Sequence, residues 1–226
     1  MKRVLFASVG ILVTALAGTA GAADLPRRTE MPAKAPAYLA TPIYNWTGLY
    51  LGLNGGGGWG RSSFTGVPAT GDFNVSGGLI GGTLGYNWQV AQAVFGLETD
   101  LDWSNIRGTT TTNCAPGCQT RNTWLGTTRG RLGYAMDRFL PYLTGGVAYG
   151  DIRASVPGFA GASTNKTGWT LGGGLEFALA SNWTAKAEYL YVDLGKFDCG
   201  TACGTAAPDN VKFNANILRA GLNYRF

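Results

Sequence analysis

Leu218-Arg219-Ala220-Gly221-Leu222-Asn223-Tyr224-Arg225-Phe226, the last nine residues of the chain, decide how the rest is read. Leu218, Ala220, Leu222, Tyr224 and Phe226 are apolar or small, and they alternate with Arg219, Gly221, Asn223 and Arg225. A period of two puts one set on each face of a β-strand. One face therefore meets an apolar medium and the other does not. Two settings fit: an edge strand of a soluble β-sandwich, or the closing strand of a barrel in lipid, where an aromatic ring sits at headgroup level.

The alternation recurs seven times upstream, at about 46–60, 73–89, 94–107, 121–135, 140–153, 167–179 and 183–195. The clearest example has Phe95, Leu97, Thr99, Leu101 and Trp103 on one face and Glu98, Asp100 and Asp102 on the other. Connections alternate in length, with short ones at 90–93, 136–139 and 180–182 and long ones at 61–72, 108–120, 154–166 and 196–211. Short turns on one side and long loops on the other are the habit of outer-membrane barrels. An even number of strands places both ends of the domain on the short-turn, periplasmic side.

The tryptophans test this independently. Trp88 and Trp183 fall at short-turn ends of strands, and Trp59, Trp103, Trp124 and Trp169 at loop ends; all six have outward parity and form a predicted girdle at the two interfaces. Trp46 has the opposite parity, so it precedes its strand or sits beside a bulge. The charged face carries Glu98, Asp100, Asp102, Arg129, Arg131, Glu176, Lys186, Glu188, Arg219 and Arg225. A soluble barrel would concentrate its aromatics mid-strand around an apolar interior. Here they cluster at strand ends, so the charges face inward, five acids against five bases. An interior of eight strands is just wide enough to be filled by side chains. Ion pairs that plug the lumen are preferred to an ion-selective pore or proton path.

The predicted fold is all-β, a transmembrane antiparallel up-and-down barrel of eight strands over residues 46–226. Residues 1–22 read as a cleaved secretory signal, with Lys2 and Arg3, a 14-residue apolar run from Val4 to Ala17, and Ala20-Gly21-Ala22. Residues 23–45, with Pro26, Pro32, Pro36 and Pro42, read as a poorly ordered periplasmic leader. The apolar run is too short to span a bilayer as a helix, and a closed barrel is the other structure that satisfies its backbone in lipid.

Composition narrows function further. Net charge is +5, falling by two to +3 when Lys2 and Arg3 leave, too weak a balance to expect nucleic acid. Histidine is absent, which removes the commonest general base and metal ligand; no enzyme activity, cofactor or metal is expected. The run Gly55–Gly60 contains a formal G-x-G-x-x-G, but no helix pattern follows, and glycine that lets strands approach is the better reading. Cys114/Cys118 and Cys199/Cys203 form two Cys-x3-Cys pairs in long loops. Export favours disulfides, most simply one per loop, over a four-thiolate zinc site; cross-pairing of the loops is the alternative.

Several stretches carry a resemblance: Ala23-Asp24-Leu25-Pro26, Asn45-Trp46-Thr47-Gly48-Leu49-Tyr50-Leu51-Gly52, Gly77–Gln89, Pro141–Gly150 and the ending Gly221-Leu222-Asn223-Tyr224-Arg225-Phe226. In that order they resemble the alphaproteobacterial outer-membrane β-barrel proteins of the 25/31-kDa surface-antigen family, over nearly the whole mature chain. The ending also resembles the signal read by the outer-membrane insertion machinery, with Leu222, Tyr224 and Phe226 as its positions. The resemblance implies an OmpA-type eight-stranded barrel in the Gram-negative outer membrane, abundant, surface-exposed and tied to envelope integrity. Partners then expected are outer-membrane lipids, lipopolysaccharide and the insertion machinery; proximity to peptidoglycan and self-association stay open. Two alternatives accompany this structural role. One is a small porin-like channel. The other is a surface ligand-binding or adhesion protein; some relatives bind haemin, for which this chain offers no histidine.

Overall fold

Runs in which every second residue is Leu, Ile, Val, Phe, Tyr or Trp become long strands because each can bury one face and present the other. The computed structural model describes residues 44–64, 71–113, 117–155, 162–198 and 210–226. The expected signal at 1–22 and most of the leader lie outside the described residues. The strands are β1 (Gly48–Phe64), β2 (Gly71–Val90), β3 (Ala93–Thr110), β4 (Cys118–Tyr134), β5 (Phe139–Ser155), β6 (Ala162–Ala178), β7 (Trp183–Asp198) and β8 (Asn210–Arg225). Each pairs antiparallel with its sequence neighbours, and β1 pairs with β8, so the sheet closes in the order β1 to β8. Closure gives every strand a partner on both sides, the condition for crossing a bilayer with strands, and pairing lapses only toward the loop end, as at Ala162–Gly168 on the β7 side of β6.

Glycine enters where strands crowd. A β-carbon on Gly56 would collide with the Leu218 carbonyl and the Arg219 backbone of β8. On the short-turn side β2 and β3 are joined by Ala91-Gln92, with Ala91 in the left-handed region at φ 54°.

The strands are longer than their hydrophobic pattern predicts, chiefly at the loop end. β8 begins at Asn210 rather than 218, β6 at Ala162 rather than 167, and β4 at Cys118 rather than 121. The cause is an inversion of polarity along the wall. Over the short-turn two thirds the outward residues are apolar and exposed, as at Leu53 (74%), Trp103 (72%) and Leu143 (70%). A continuous exposed apolar belt of this kind has no place in water. Beyond the loop-side tryptophans the outward positions turn polar, as at Asn74, Asn105, Arg107, Arg121, Arg153 and Lys212. The inward positions there turn apolar: Phe73, Val75, Ile106, Ile152, Leu194, Val211, Phe213 and Ile217 are buried. This outer section has its own apolar core and a polar wall that begins at headgroup level, and it stands on a section that faces hydrocarbon.

The interior is therefore layered, not uniformly polar as the sequence reading had it. Trp46, Val94, Ala135, Leu140 and Ala178 pack together at the short-turn end. Buried charges fill the middle, and the loop-side half is closed by the larger apolar cluster around Phe213 and Ile217.

Candidate functional site

The charged layer is built from inward positions of five strands. Glu98, Asp100 and Asp102 come from β3, Arg129 and Arg131 from β4, Glu176 from β6, Lys186 and Glu188 from β7, and Arg219 from β8. Period two stacks each set on the lumen face, and register does the rest: Glu98 lies opposite Arg129, Glu176 opposite Lys186, and Glu188 opposite Arg219. Arg129 donates to Glu98 at 2.5 Å, Asp100 at 2.7 Å and Glu188 at 2.9 Å. Arg219 reaches Asp100 at 2.8 Å, Asp102 at 2.7 Å and Glu188 at 2.8 Å. Lys186 donates to Glu98 at 2.9 Å and Arg131 to Glu176 at 2.6 Å. Arg131 also approaches Glu98 at 3.6 Å, so nine of the ten charges assigned to the lumen form one connected network.

Two tyrosines complete it. The Tyr50 hydroxyl of β1 donates to Glu98 at 2.8 Å and accepts from Arg131 at 3.0 Å. The Tyr142 hydroxyl of β5 donates to Glu188 at 3.1 Å, and its ring lies under the Arg131 guanidinium at 3.9 Å. Both have inward parity in the sequence, but a charge count does not select them. Multiple hydrogen bonds per ion are what a buried network needs to offset desolvation.

Arg225 does not join the network, which corrects the tenth assignment. It sits at the short-turn mouth, over the Tyr44 ring at 4.4 Å, and donates to the Ser181 carbonyl at 3.1 Å. The physical reason is depth: Arg225 is the last inward position of β8, below the charged layer. With it gone, the layer holds five carboxylates and four cations.

Trp46 precedes β1, and its parity is explained by a different job. It is buried to 1% exposure, its indole N–H donates to the Asp137 carbonyl at 3.1 Å, and its backbone N–H donates to the Gln89 side chain at 2.7 Å. Tyr44 packs on it edge-on, ring centroids 4.8 Å apart. Residues 44–46 are thus held in the barrel mouth, whereas the leader reading extended to 45. Burial raises the Tyr44 phenol above its ordinary pKa, against the pull of Arg225.

Trp59, Trp88, Trp103, Trp124, Trp169 and Trp183 all point outward, Trp124 the most shielded. Trp183, Tyr224 and Phe226 stack in a chain with centroid spacings of 5.1 Å, and Leu222 is exposed beside them. Cys118 is disulfide-bonded and buried at the start of β4; Cys114, Cys199 and Cys203 lie outside the described residues. Sequence reasoning missed Asp151. Its carboxylate accepts from the Thr123 backbone at 2.9 Å, the Thr123 hydroxyl at 2.7 Å and the Trp124 backbone at 3.1 Å, where the β4–β5 register shifts. Nothing in local sequence marks it, because the bulge exists only between paired strands.

Comparison with known proteins agrees with this architecture. Residues 12–226 match the outer membrane protein beta-barrel domain family. The chain is 36% identical to the 31 kDa outer-membrane immunogenic protein of Brucella melitensis, covering all of both chains. It is 31% identical to the 25 kDa outer-membrane immunogenic protein of Brucella canis, over 100% of this chain and 99% of that one. Among solved structures it is similar to the outer membrane protein OprG from Pseudomonas aeruginosa, with TM-score 0.51 and 14% identity over 81% of this chain and 99% of that one. A closed eight-stranded barrel, an exposed apolar belt and end-to-end similarity to the Brucella proteins converge: the chain belongs to the outer membrane protein β-barrel family, with the alphaproteobacterial 25/31 kDa outer-membrane immunogenic proteins of Gram-negative bacteria.

Proposed function

We propose that the protein is a closed structural barrel that reinforces the outer membrane and carries its outer section and loops to the cell surface. The observation that carries this reading is the filled lumen. The ion-pair network lies between two clusters of buried apolar side chains, one around Trp46 and one around Phe213, which we read as interrupting a polar path along the axis. A porin-like channel needs such a path. Loop-side display fits the immunogenic character named for the Brucella relatives.

In the same reading, residues 1–22 serve as the export signal and the two rows of tryptophans seat the barrel at the interfaces. Leu222, Tyr224 and Phe226 present an aromatic end to the insertion machinery. Conductance of refolded protein in a planar lipid bilayer tests the proposal. Folded barrels, identified by faster gel migration before heating, should carry no stepwise current. Stable current steps would refute the sealed lumen and favour a small pore.

A further inference from the structure

Arg107, Arg121 and Arg153 lie in one row across three consecutive strands. Arg107 is the cross-strand partner of Arg121, and Arg121 of Arg153. All three are exposed on the outer wall. Like charges directly opposite on neighbouring strands repel, with β-carbons about 5 Å apart. Only Arg153 is neutralised, by Asp151 at 2.9 Å; among the described residues Arg107 and Arg121 have no ion-pair partner. A row that repels itself and stays unneutralised is suited to an anion from outside.

The position of the row says which anion. Trp103 and Trp124 are themselves cross-strand partners, and Arg107 and Arg121 follow them on the loop side. With strand rise near 3.3 Å per residue, Arg121 lies about 10 Å and Arg107 about 13 Å along its strand from the indole, or about 8–10 Å along the bilayer normal for strands tilted about 40°. That depth lies in the headgroup layer, past the hydrocarbon. Directly below them the register shift between Trp103 and Ile106 accompanies an open, mainly apolar groove lined by Leu101, Asp102, Trp103, Thr123 and Trp124, with the Asp102 carboxylate turned into the lumen onto Arg219. A groove for a chain under a row of guanidiniums for phosphates matches one kind of molecule: a phosphorylated glycolipid of the outer leaflet.

We propose that this face of β3, β4 and β5 is a docking site for lipopolysaccharide. The lipid A phosphates sit on Arg107 and Arg121, and an acyl chain lies in the Trp103–Trp124 groove. Arg153 flanks the phosphates, held in place by Asp151, which also ties down the Thr123–Trp124 bulge. Guanidinium suits this task because its fork matches phosphate oxygens two at a time. The inference rests on the outer-membrane placement of the barrel, but not on a sealed lumen.

The test uses the full barrel, refolded in detergent and checked by its heat-dependent gel shift. Purified lipopolysaccharide is titrated against the wild type, the double variant Arg107→Ser/Arg121→Ser, and a charge-matched control, Lys196→Ser/Lys212→Ser. The control pair is also exposed and cross-strand, on β7 and β8. Loss of the arginines should weaken binding about tenfold or more, since two charge-assisted contacts go. The control should change it by no more than about threefold, as expected for diffuse surface charge. Without lipopolysaccharide the arginine variant should unfold no earlier than wild type, because repulsion has been relieved. Three results would each overturn the proposal: unchanged affinity in the arginine variant, equal losses in both variants, or equal binding of dephosphorylated lipopolysaccharide. Equal competition by phosphatidylglycerol would overturn the choice of glycolipid as well. Bilayer conductance of the same preparations reports separately on the sealed lumen.

Discussion

Arg219→Met is the sharpest perturbation the buried network allows. Arg219 contacts Asp100, Asp102 and Glu188, and among the described residues it is the only cation bonded to Asp102. Arg129 also contacts three carboxylates, but each keeps another cation when Arg129 is lost. Glu98 retains Lys186, while Asp100 and Glu188 retain Arg219. Methionine fills much of the arginine volume, so the cavity contribution is small in both variants. Stranding one member of a buried ion pair costs about 3–5 kcal/mol. Arg219→Met should fall at the upper end of that range. Arg129→Met should fall nearer about 2–3 kcal/mol, because no carboxylate loses its last cation. Adding Asp102→Asn to Arg219→Met should recover about 1–2 kcal/mol, by removing the stranded charge. Urea unfolding of the barrel in lipid vesicles, followed by tryptophan fluorescence, measures all three. An Arg219→Met cost below about 1 kcal/mol, or one smaller than that of Arg129→Met, would refute the reasoning. Current through an Arg219→Met barrel would refute it differently. The apolar layers above and below are untouched by the substitution and should still seal the axis.

Other perturbations address other layers. Trp46→Ala empties the short-turn plug and should cost about 3–5 kcal/mol in the same unfolding assay, without opening a conducting path. Gly56→Val places a branched side chain against the Leu218 carbonyl of the closing strand, so the unheated gel band should lose its fast migration. Asp151→Ala removes the acceptor for Thr123 and Trp124 and should cost about 1–3 kcal/mol, with a changed Trp124 environment visible as a shifted emission maximum.

How much was legible in the sequence differs by layer. Period-two alternation survives in single-sequence form because every membrane strand faces lipid on one side and a polar interior on the other. Strand number, the inward face of Glu98, Arg129 and Glu188, and the outward face of six tryptophans follow from it directly. The same rule misled at the loop end. From Val211 to Ile217 the alternation continues, but the apolar residues now point inward and Lys212, Asn214 and Asn216 outward. A search for apolar-outward strands reads that inversion as loop.

By itself, then, the amino-acid order determined that strands form, which face of each meets lipid, and that the charged positions share an interior, nine of the ten as assigned. Local chemistry suffices for these, since each depends only on a residue and its neighbours two positions away. Tertiary structure decided what depends on register and height. It joined Arg219 on β8 to Asp102 on β3, kept Arg225 out of the network, and seated Trp46 as a plug. It also set three arginines from three strands side by side. The closure and stagger of the barrel bring distant positions to one depth, and no pattern within a single strand records that depth.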